Sequence, residues 1–218
     1  MKRSVALAGL MALTAVCPAA AQASRSPAQG QSTSVVRACP ANAYSVIRSP
    51  DGSSVSILFN DFSAETTRGQ RGSVRTTCRI EAPLALPAGH GAGLTSVDYR
   101  GFALLGARQS ADISADYELG RGNGGRFNRR IQGRYEREFY FVDRLPPGQV
   151  RQAGCAGAPA PVLAINITLG LTTPGQGEAA MIALDSADQT TAPTALTYRF
   201  DVRPCARNNR PTDVDVLT

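Results

Sequence analysis

The chain has 218 residues, a formal net charge of +6 and a hydrophobic content of 43%. A chain of this length can bury a sizeable core in one domain without help from a metal. It has a single histidine, and no two of its five cysteines are spaced as C-x-x-C, which argues against a zinc site.

The first 23 residues have the pattern of an export signal. Lys2 and Arg3 are followed by an apolar run over residues 5–16, which is too short to span a bilayer. Residues 19–23 offer small side chains for cleavage, so the sequence predicts a signal peptide at 1–23 and a secreted or periplasmic protein. A lipid anchor on Cys17 is disfavoured, because Val16 stands where such signals normally have Gly or Ala. The mature chain then has 21 arginines, no lysine and no transmembrane segment.

The chain beyond the signal consists of short runs of alternating apolar and polar residues, separated by Gly and Pro. Residues 24–36 predict a flexible lead-in and residues 206–218 a disordered tail, which leaves a domain at 37–205. Strands are expected near residues 43–48, 54–62, 75–85, 95–105, 111–119, 129–143, 161–171, 178–184 and 194–203. No segment has a helical stripe, so the fold class is all-β: a single antiparallel β-sandwich or a flattened barrel.

Four segments carry most of this prediction. Residues 49–52 (Ser-Pro-Asp-Gly) have the chemistry of a turn, and Val55, Ile57 and Phe59 then share one face of a strand. Residues 196–202 alternate between apolar and polar side chains, and residues 163–171 alternate between large apolar residues and small or polar ones. Residues 129–143 are interpreted as one long strand, with Ile131, Tyr135, Phe139 and Phe141 on its apolar face.

Four cysteines remain in the mature chain, and an even number in an exported protein predicts two disulfides. These residues are Cys39, Cys78, Cys155 and Cys205. Three pairings are possible and the sequence does not choose among them. The expected strand order brings Cys39 and Cys78 to one end of a sheet, which favours Cys39–Cys78 and, by default, Cys155–Cys205.

A candidate binding surface lies in the segment from Gly120 to Arg137. It matches the spacing G-x-G-x-x-G, but a strand rather than a helix is expected after it, which argues against a dinucleotide site. The predicted ligand-binding residues are Arg121, Arg126, Phe127, Arg129, Arg130 and Arg134. Guanidinium and aromatic groups together can hold phosphates or anionic sugars. The alternative is a solvated hairpin in which Arg134 and Arg137 pair with Glu136 and Glu138.

Catalytic residues are not indicated by any spacing in the chain. His90 stands in a loop without a nucleophile motif, and carboxylates that could act in a hydrolase are Asp51, Asp61, Glu65 and Asp98. The sequence predicts no cofactor, no metal and no nucleic-acid partner, and it leaves the oligomeric state open.

Several motifs occur in the order found in one known family. They are Cys39-Pro40, residues 49–52, the run 57–62, residues 75–78, Pro87 with Gly89, and residues 98–101. In this order the chain resembles the secreted domain-of-unknown-function family numbered 4360, from about Arg37 to Cys205. A tryptophan expected before the last cysteine is replaced by Arg203-Pro204. The resemblance implies export and about four cysteines, and it supplies no catalytic residues.

Together these features predict an exported, non-catalytic β-sandwich that binds anionic envelope polysaccharide or lipid phosphate. The alternative is a secreted hydrolase that uses carboxylates on its loops.

Overall fold

A computed structural model describes residues 33–39, 42–120, 124–155, 160–175, 177–184 and 196–206. Regular structure in these ranges is β-strand, apart from one turn of 3-10 helix at Pro147–Gln149. The strands are β1 (Thr33–Ala38), β2 (Tyr44–Arg48), β3 (Ser54–Phe59), β4 (Ser63–Thr66), β5 (Gly72–Pro83), β6 (His90–Leu105), β7 (Ser110–Leu119), β8 (Gly124–Gln132), β9 (Tyr135–Arg144), β10 (Val162–Thr173), β11 (Ala180–Ala183) and β12 (Leu196–Pro204). Within these ranges, no helix has the length and hydropathy needed to cross a membrane.

The strands form two sheets that pack face to face. One sheet has the order β1-β5-β10-β7-β8, and the other has the order β2-β3-β12-β6-β11-β4, with β9 paired to the free side of β6. All strand pairs are antiparallel except β1 with β5. The predicted all-β sandwich with two disulfides is therefore confirmed, and a single parallel edge strand is added to it.

The core lies between the two sheets and is built by alternation along the strands. Leu163, Ile165, Ile167, Leu169 and Leu171 of β10 are all buried, as the sequence predicted. A fully buried side chain of this size contributes roughly 1.5–3 kcal/mol relative to an exposed one. The inner faces of the two sheets therefore supply the main part of the stability.

The segment 129–143 is not the single strand that was predicted. It is a hairpin that crosses from one sheet to the other: β8 ends at Gln132, and Gly133 turns the chain with a φ of 77°. Ile131 consequently enters the core from the five-stranded sheet and Phe139 from the seven-stranded sheet. A positive φ suits glycine, and this glycine was the local signal for the turn.

Other strand boundaries also differ from the prediction. The expected strand at 54–62 ends at Phe59, and β4 begins separately at Ser63. The last four residues of the predicted lead-in (33–36) belong to β1, because their backbone pairs with β5. The predicted signal peptide at 1–23, the rest of the lead-in and the tail after Ala206 lie outside the described residues.

Both disulfides that the strand order favoured are present. Cys39, just after β1, is bonded to Cys78 of β5, with a Cα–Cα distance of 4.7 Å. Cys155 is bonded to Cys205, which follows β12, with a Cα–Cα distance of 5.5 Å. The first bond fastens the parallel edge strand to its sheet, and the second fastens the segment after the 3-10 helix to the end of the seven-stranded sheet.

Loss of the second disulfide should lower stability measurably. The bond joins residues 50 apart. In the chain-entropy description, Cys155→Ser with Cys205→Ser should cost at most about 4 kcal/mol. Urea unfolding of the double variant, followed by circular dichroism, measures this loss. The wild type in reducing agent is the control and should lose at least as much, and an unchanged unfolding midpoint in the double variant would contradict the prediction.

Candidate functional site

The predicted binding residues do not form one surface. Arg126 and Arg130 lie on the outer face of the five-stranded sheet, where they are exposed. Phe127 points into the core: it is 2% exposed, and its ring stacks on Tyr99 with the centroids 3.9 Å apart. Alternation along β8 explains the difference, because residue 127 lies between two outward positions. Phe127 is therefore a core residue and does not belong to the predicted surface.

The remaining predicted residues lie in other places. Arg129 is on the inward side of β8 at the rim of the sandwich, with its guanidinium 5.0 Å from the centre of the Phe127 ring. Arg134 stands in the turn between β8 and β9. Arg121 lies outside the described residues.

Two of the three arginines of β8 pair with carboxylates of β7. Antiparallel register sets Asp116 opposite Arg126 and Asp112 opposite Arg130, and the ion pairs measure 2.6 Å and 2.9 Å. The hydrogen bond that Arg126 Nε donates to the Asp116 carboxylate also raises the pKa of Arg126. The predicted alternative, in which Arg134 and Arg137 pair with Glu136 and Glu138, is not among the ion pairs of the described residues. The Arg137 guanidinium lies 4.8 Å from the centre of the Tyr135 ring. Exposed pairs of this kind contribute little stability, and their main effect is to orient the side chains.

Three rows of side chains cross this outer face, and each row has one residue from β5, β10, β7 and β8. We call these twelve positions the arginine platform. The two outer rows are equivalent. One row is Arg75, Gly170, Asp112 and Arg130, and the other is Arg79, Asn166, Asp116 and Arg126. The middle row is Thr77, Thr168, Ser114 and Asn128.

The platform has arginines at its four corners and short polar side chains between them. Strands lie about 4.8 Å apart and rise about 3.4 Å per residue, so the corners outline a square of roughly 14 Å. Thr77 and Thr168 are joined by a hydrogen bond of 2.9 Å between their hydroxyl oxygens. A side chain at Gly170 would meet Cβ of Asp112 at 3.6 Å, so glycine keeps the floor low beside that carboxylate.

One end of the platform opens into a groove of about 500 Å³. Arg79 and Asn166 line the groove. Gly124 and Ala164 also line it, and the groove is open there because these two residues are small. Among the described residues, Arg75 has no ion-pair partner, and Arg79 lies 3.4 Å from Glu81. The guanidinium groups of Arg126 and Arg130 are thus held by aspartates. That of Arg79 is held only by an exposed pair with Glu81, and that of Arg75 has no ion-pair partner among the described residues.

Arg75, Arg79 and Asn166 were not identified from the sequence. Alternation does put them on the outward faces of the strands predicted at 75–85 and 161–171. Their alignment with Arg130 and Arg126 depends on the register of strands that are far apart in the chain.

A second cavity, of about 480 Å³, lies beside the turn between β8 and β9. Arg108, Arg134, Glu136 and Glu178 contribute charged groups to its lining. Its shape depends on buried Gln109, whose Nε2 donates to the Glu178 carbonyl at 2.7 Å and whose Oε1 accepts from the Gly106 N–H at 2.6 Å.

The carboxylates proposed for a hydrolase are mostly engaged in local structure. Asp51 accepts hydrogen bonds from the Ser53 N–H at 3.0 Å and the Ser53 hydroxyl at 2.7 Å. Asp98 lies within β6 and binds Arg199, and Glu65 accepts from the hydroxyl of Ser63. His90 begins β6, with Nδ1 3.0 Å from a backbone carbonyl of the preceding turn. These contacts give the residues structural roles.

The comparison with known families fits this architecture. The family model described as a domain of unknown function, DUF4360, matches residues 33–205. The chain belongs to this family. The match begins where β1 begins and ends at the last cysteine, so it covers both sheets and both disulfides. No curated protein matches the chain. The resemblance seen in the sequence is confirmed, and function has to be argued from the surface.

The carboxylate of Asp51 should titrate abnormally low. Hydrogen bonds from Ser53 and Ser49 lower its pKa from 3.8 to about 2, so the turn gains stability above pH 3.8 and loses it as the pH falls towards 2. Carbon-detected NMR of the side chain should show this midpoint.

A matched variant separates the effect of this turn from the overall effect of low pH on stability. Asp51→Asn should be less stable than the wild type at neutral pH, and the difference should shrink below pH 2. Asp61→Asn is the control, because no hydrogen bond to the Asp61 carboxylate is found among the described residues. A midpoint near 4 for Asp51 would refute the assignment of this residue to the turn.

Proposed function

We propose that the protein is an exported, non-catalytic module that binds an anionic polysaccharide of the cell envelope through the arginine platform. Lipid phosphate offers the same charged chemistry, and the experiment below separates the two sources.

The observation that carries the proposal is the repetition of one charged row. Each row has an arginine at both ends and an aspartate beside one of them, and hydroxyl and amide groups fill the space between the rows. Sites for small molecules are usually concave, whereas this surface is an open sheet face about 14 Å across with a groove at one end. An open surface with repeated charges suits a polymer with repeated charges.

The charge on the platform favours an anion. Its four arginines exceed its two aspartates, which leaves a net charge of +2 on twelve positions. A guanidinium group offers a planar fork that matches carboxylate and phosphate oxygens. Since the groups are exposed, the attraction should weaken strongly with salt.

Export is supported by two independent features. The first 23 residues have the pattern of a signal peptide. The two disulfides are typical of proteins that work in an oxidising compartment. A module on the envelope side of the membrane would meet anionic polysaccharides directly.

A hydrolase is the second candidate, because Glu136 and Glu178 line the same cavity beside Arg108 and Arg134. Two carboxylates on either side of a bond are the requirement for glycoside cleavage. Release of reducing ends from the polymers below, lost in Glu178→Gln, would support this function instead.

Replacing the two weakly partnered corner arginines should reduce binding to an anionic polymer. An exposed ion pair is worth up to about 1 kcal/mol, so the loss of two such contacts in Arg75→Gln with Arg79→Gln should weaken polygalacturonate binding about tenfold. Affinity electrophoresis at low and high salt measures the change. The variant keeps the β7–β8 ion pairs, so its unfolding midpoint should match that of the wild type.

The controls vary the position of the charge and the polymer. Arg144→Gln with Arg151→Gln removes two exposed arginines from elsewhere and should leave binding unchanged. Neutral dextran should not bind, and vesicles containing phosphatidylglycerol test the lipid source. Equal loss in both double variants, or equal binding of dextran, would contradict the proposal.

A further inference from the structure

We propose a second ligand site, on the outer face of the seven-stranded sheet, that recognises a single carboxylated sugar ring. The Tyr140 site consists of Asp98, Arg100, Tyr140, Thr197 and Arg199. It lies on the other sheet from the arginine platform, so it does not depend on the function proposed above.

Three neighbouring strands bring these five residues together. Register sets Tyr140 of β9 opposite Arg100 of β6, and Asp98 of β6 opposite Thr197 of β12. The side chains surround a depression of about 230 Å³. This volume is below the usual range for drug-sized ligands, which indicates one ring rather than a longer molecule.

Tyr140 gives the site an aromatic surface. It is 57% exposed, whereas its chain neighbours Phe139 and Phe141 pack against the core. An exposed tyrosine ring offers a flat apolar face with a polar end, a combination that is enriched at binding surfaces. The C–H groups on one side of a sugar ring can pack against such a face.

Arg100 gives the site a cation that is available to a ligand. Its guanidinium carbon lies 5.8 Å from the centre of the Tyr140 ring, and it has no carboxylate partner among the described residues. The site holds two arginines and one aspartate, a net charge of +1. A carboxylate beside the tyrosine ring would match the planar fork of Arg100.

Asp98 supplies an oriented hydrogen-bond acceptor. Its side chain is 13% exposed, and Oδ2 accepts from Nε and Nη2 of Arg199 at 3.2 Å and 3.1 Å. No donor reaches Oδ1 within the described part of the chain. This oxygen can accept a hydrogen bond from a ring hydroxyl, and because Arg199 already orients the carboxylate, little ordering is needed on binding.

Stacking, a carboxylate contact and a hydroxyl contact together specify a uronic acid. Galacturonic acid and its methyl glycoside are therefore the probes, with galactose as the uncharged analogue. The chain has six tyrosines and no tryptophan, so tyrosine fluorescence and NMR shift mapping report on the site. Galacturonate should shift the signals of Asp98, Arg100 and Tyr140, and galactose should not.

The variants test the ring and the charge separately. Tyr140→Ala and Arg100→Gln should each weaken galacturonate binding about tenfold, the effect of 1.4 kcal/mol. Tyr140→Phe should keep most of the affinity. Ile47→Ala removes another exposed apolar side chain of the same sheet and should have no effect. Circular dichroism confirms that each variant is folded.

Three results would overturn this inference: unchanged affinity in Tyr140→Ala, equal binding of galactose, or shifts confined to the arginine platform. The platform variant Arg75→Gln with Arg79→Gln should bind the monosaccharide as the wild type does. This variant distinguishes a failure of polymer binding at the arginine platform from a failure of monosaccharide binding at the Tyr140 site.

Discussion

The register of β10 is the constraint on which the rest of the molecule depends. Five inward apolar residues alternate with small or polar outward ones, and β10 pairs with both β5 and β7. A shift of one residue would turn the apolar set towards solvent, so burial of the core fixes the register strongly. The same register sets Arg75 and Arg79 of β5 in line with Asp112 and Asp116 of β7. Core packing therefore determines the geometry of the outer surface.

The aspartates of the platform have two opposing effects. They lower its net positive charge, which weakens long-range attraction for an anion. They also hold the guanidinium groups of Arg126 and Arg130 in fixed positions through short ion pairs. A side chain that is already ordered loses less conformational entropy when a ligand binds. In the proposed function, the platform would favour a ligand whose charges match its spacing over one that is merely strongly charged.

The sequence predicted those features that depend on neighbouring residues. Alternation along β10, the turn at Asp51 and the pairing of the cysteines could be predicted because each follows from local pattern or from strand order. The hairpin at Gly133 was missed, because apolar residues continue at alternate positions on both sides of it. Phe127 was misassigned because its arginine neighbours suggested a surface, while alternation in β8 turns it inward.

The arginine platform could not be predicted for a different reason. Its rows join residues from β5, β10, β7 and β8, and only the pairing of these strands brings them into line. The arginines of β5 are separated from those of β8 by about fifty residues of chain, so no local pattern connects them. The sequence located half of the corner residues, and the fold supplied the other half.

The two outer faces of the sandwich have different chemistry, although the same rule of alternation produces both. The five-stranded sheet presents arginines, aspartates and hydroxyl groups without an aromatic ring on its platform. The seven-stranded sheet presents Tyr140 beside Arg100 and a carboxylate that Arg199 orients. Because a sandwich turns these faces in opposite directions, one ligand ring cannot occupy both. The two proposed sites would therefore hold separate ligands, a polymer on the five-stranded sheet and a single ring on the seven-stranded sheet.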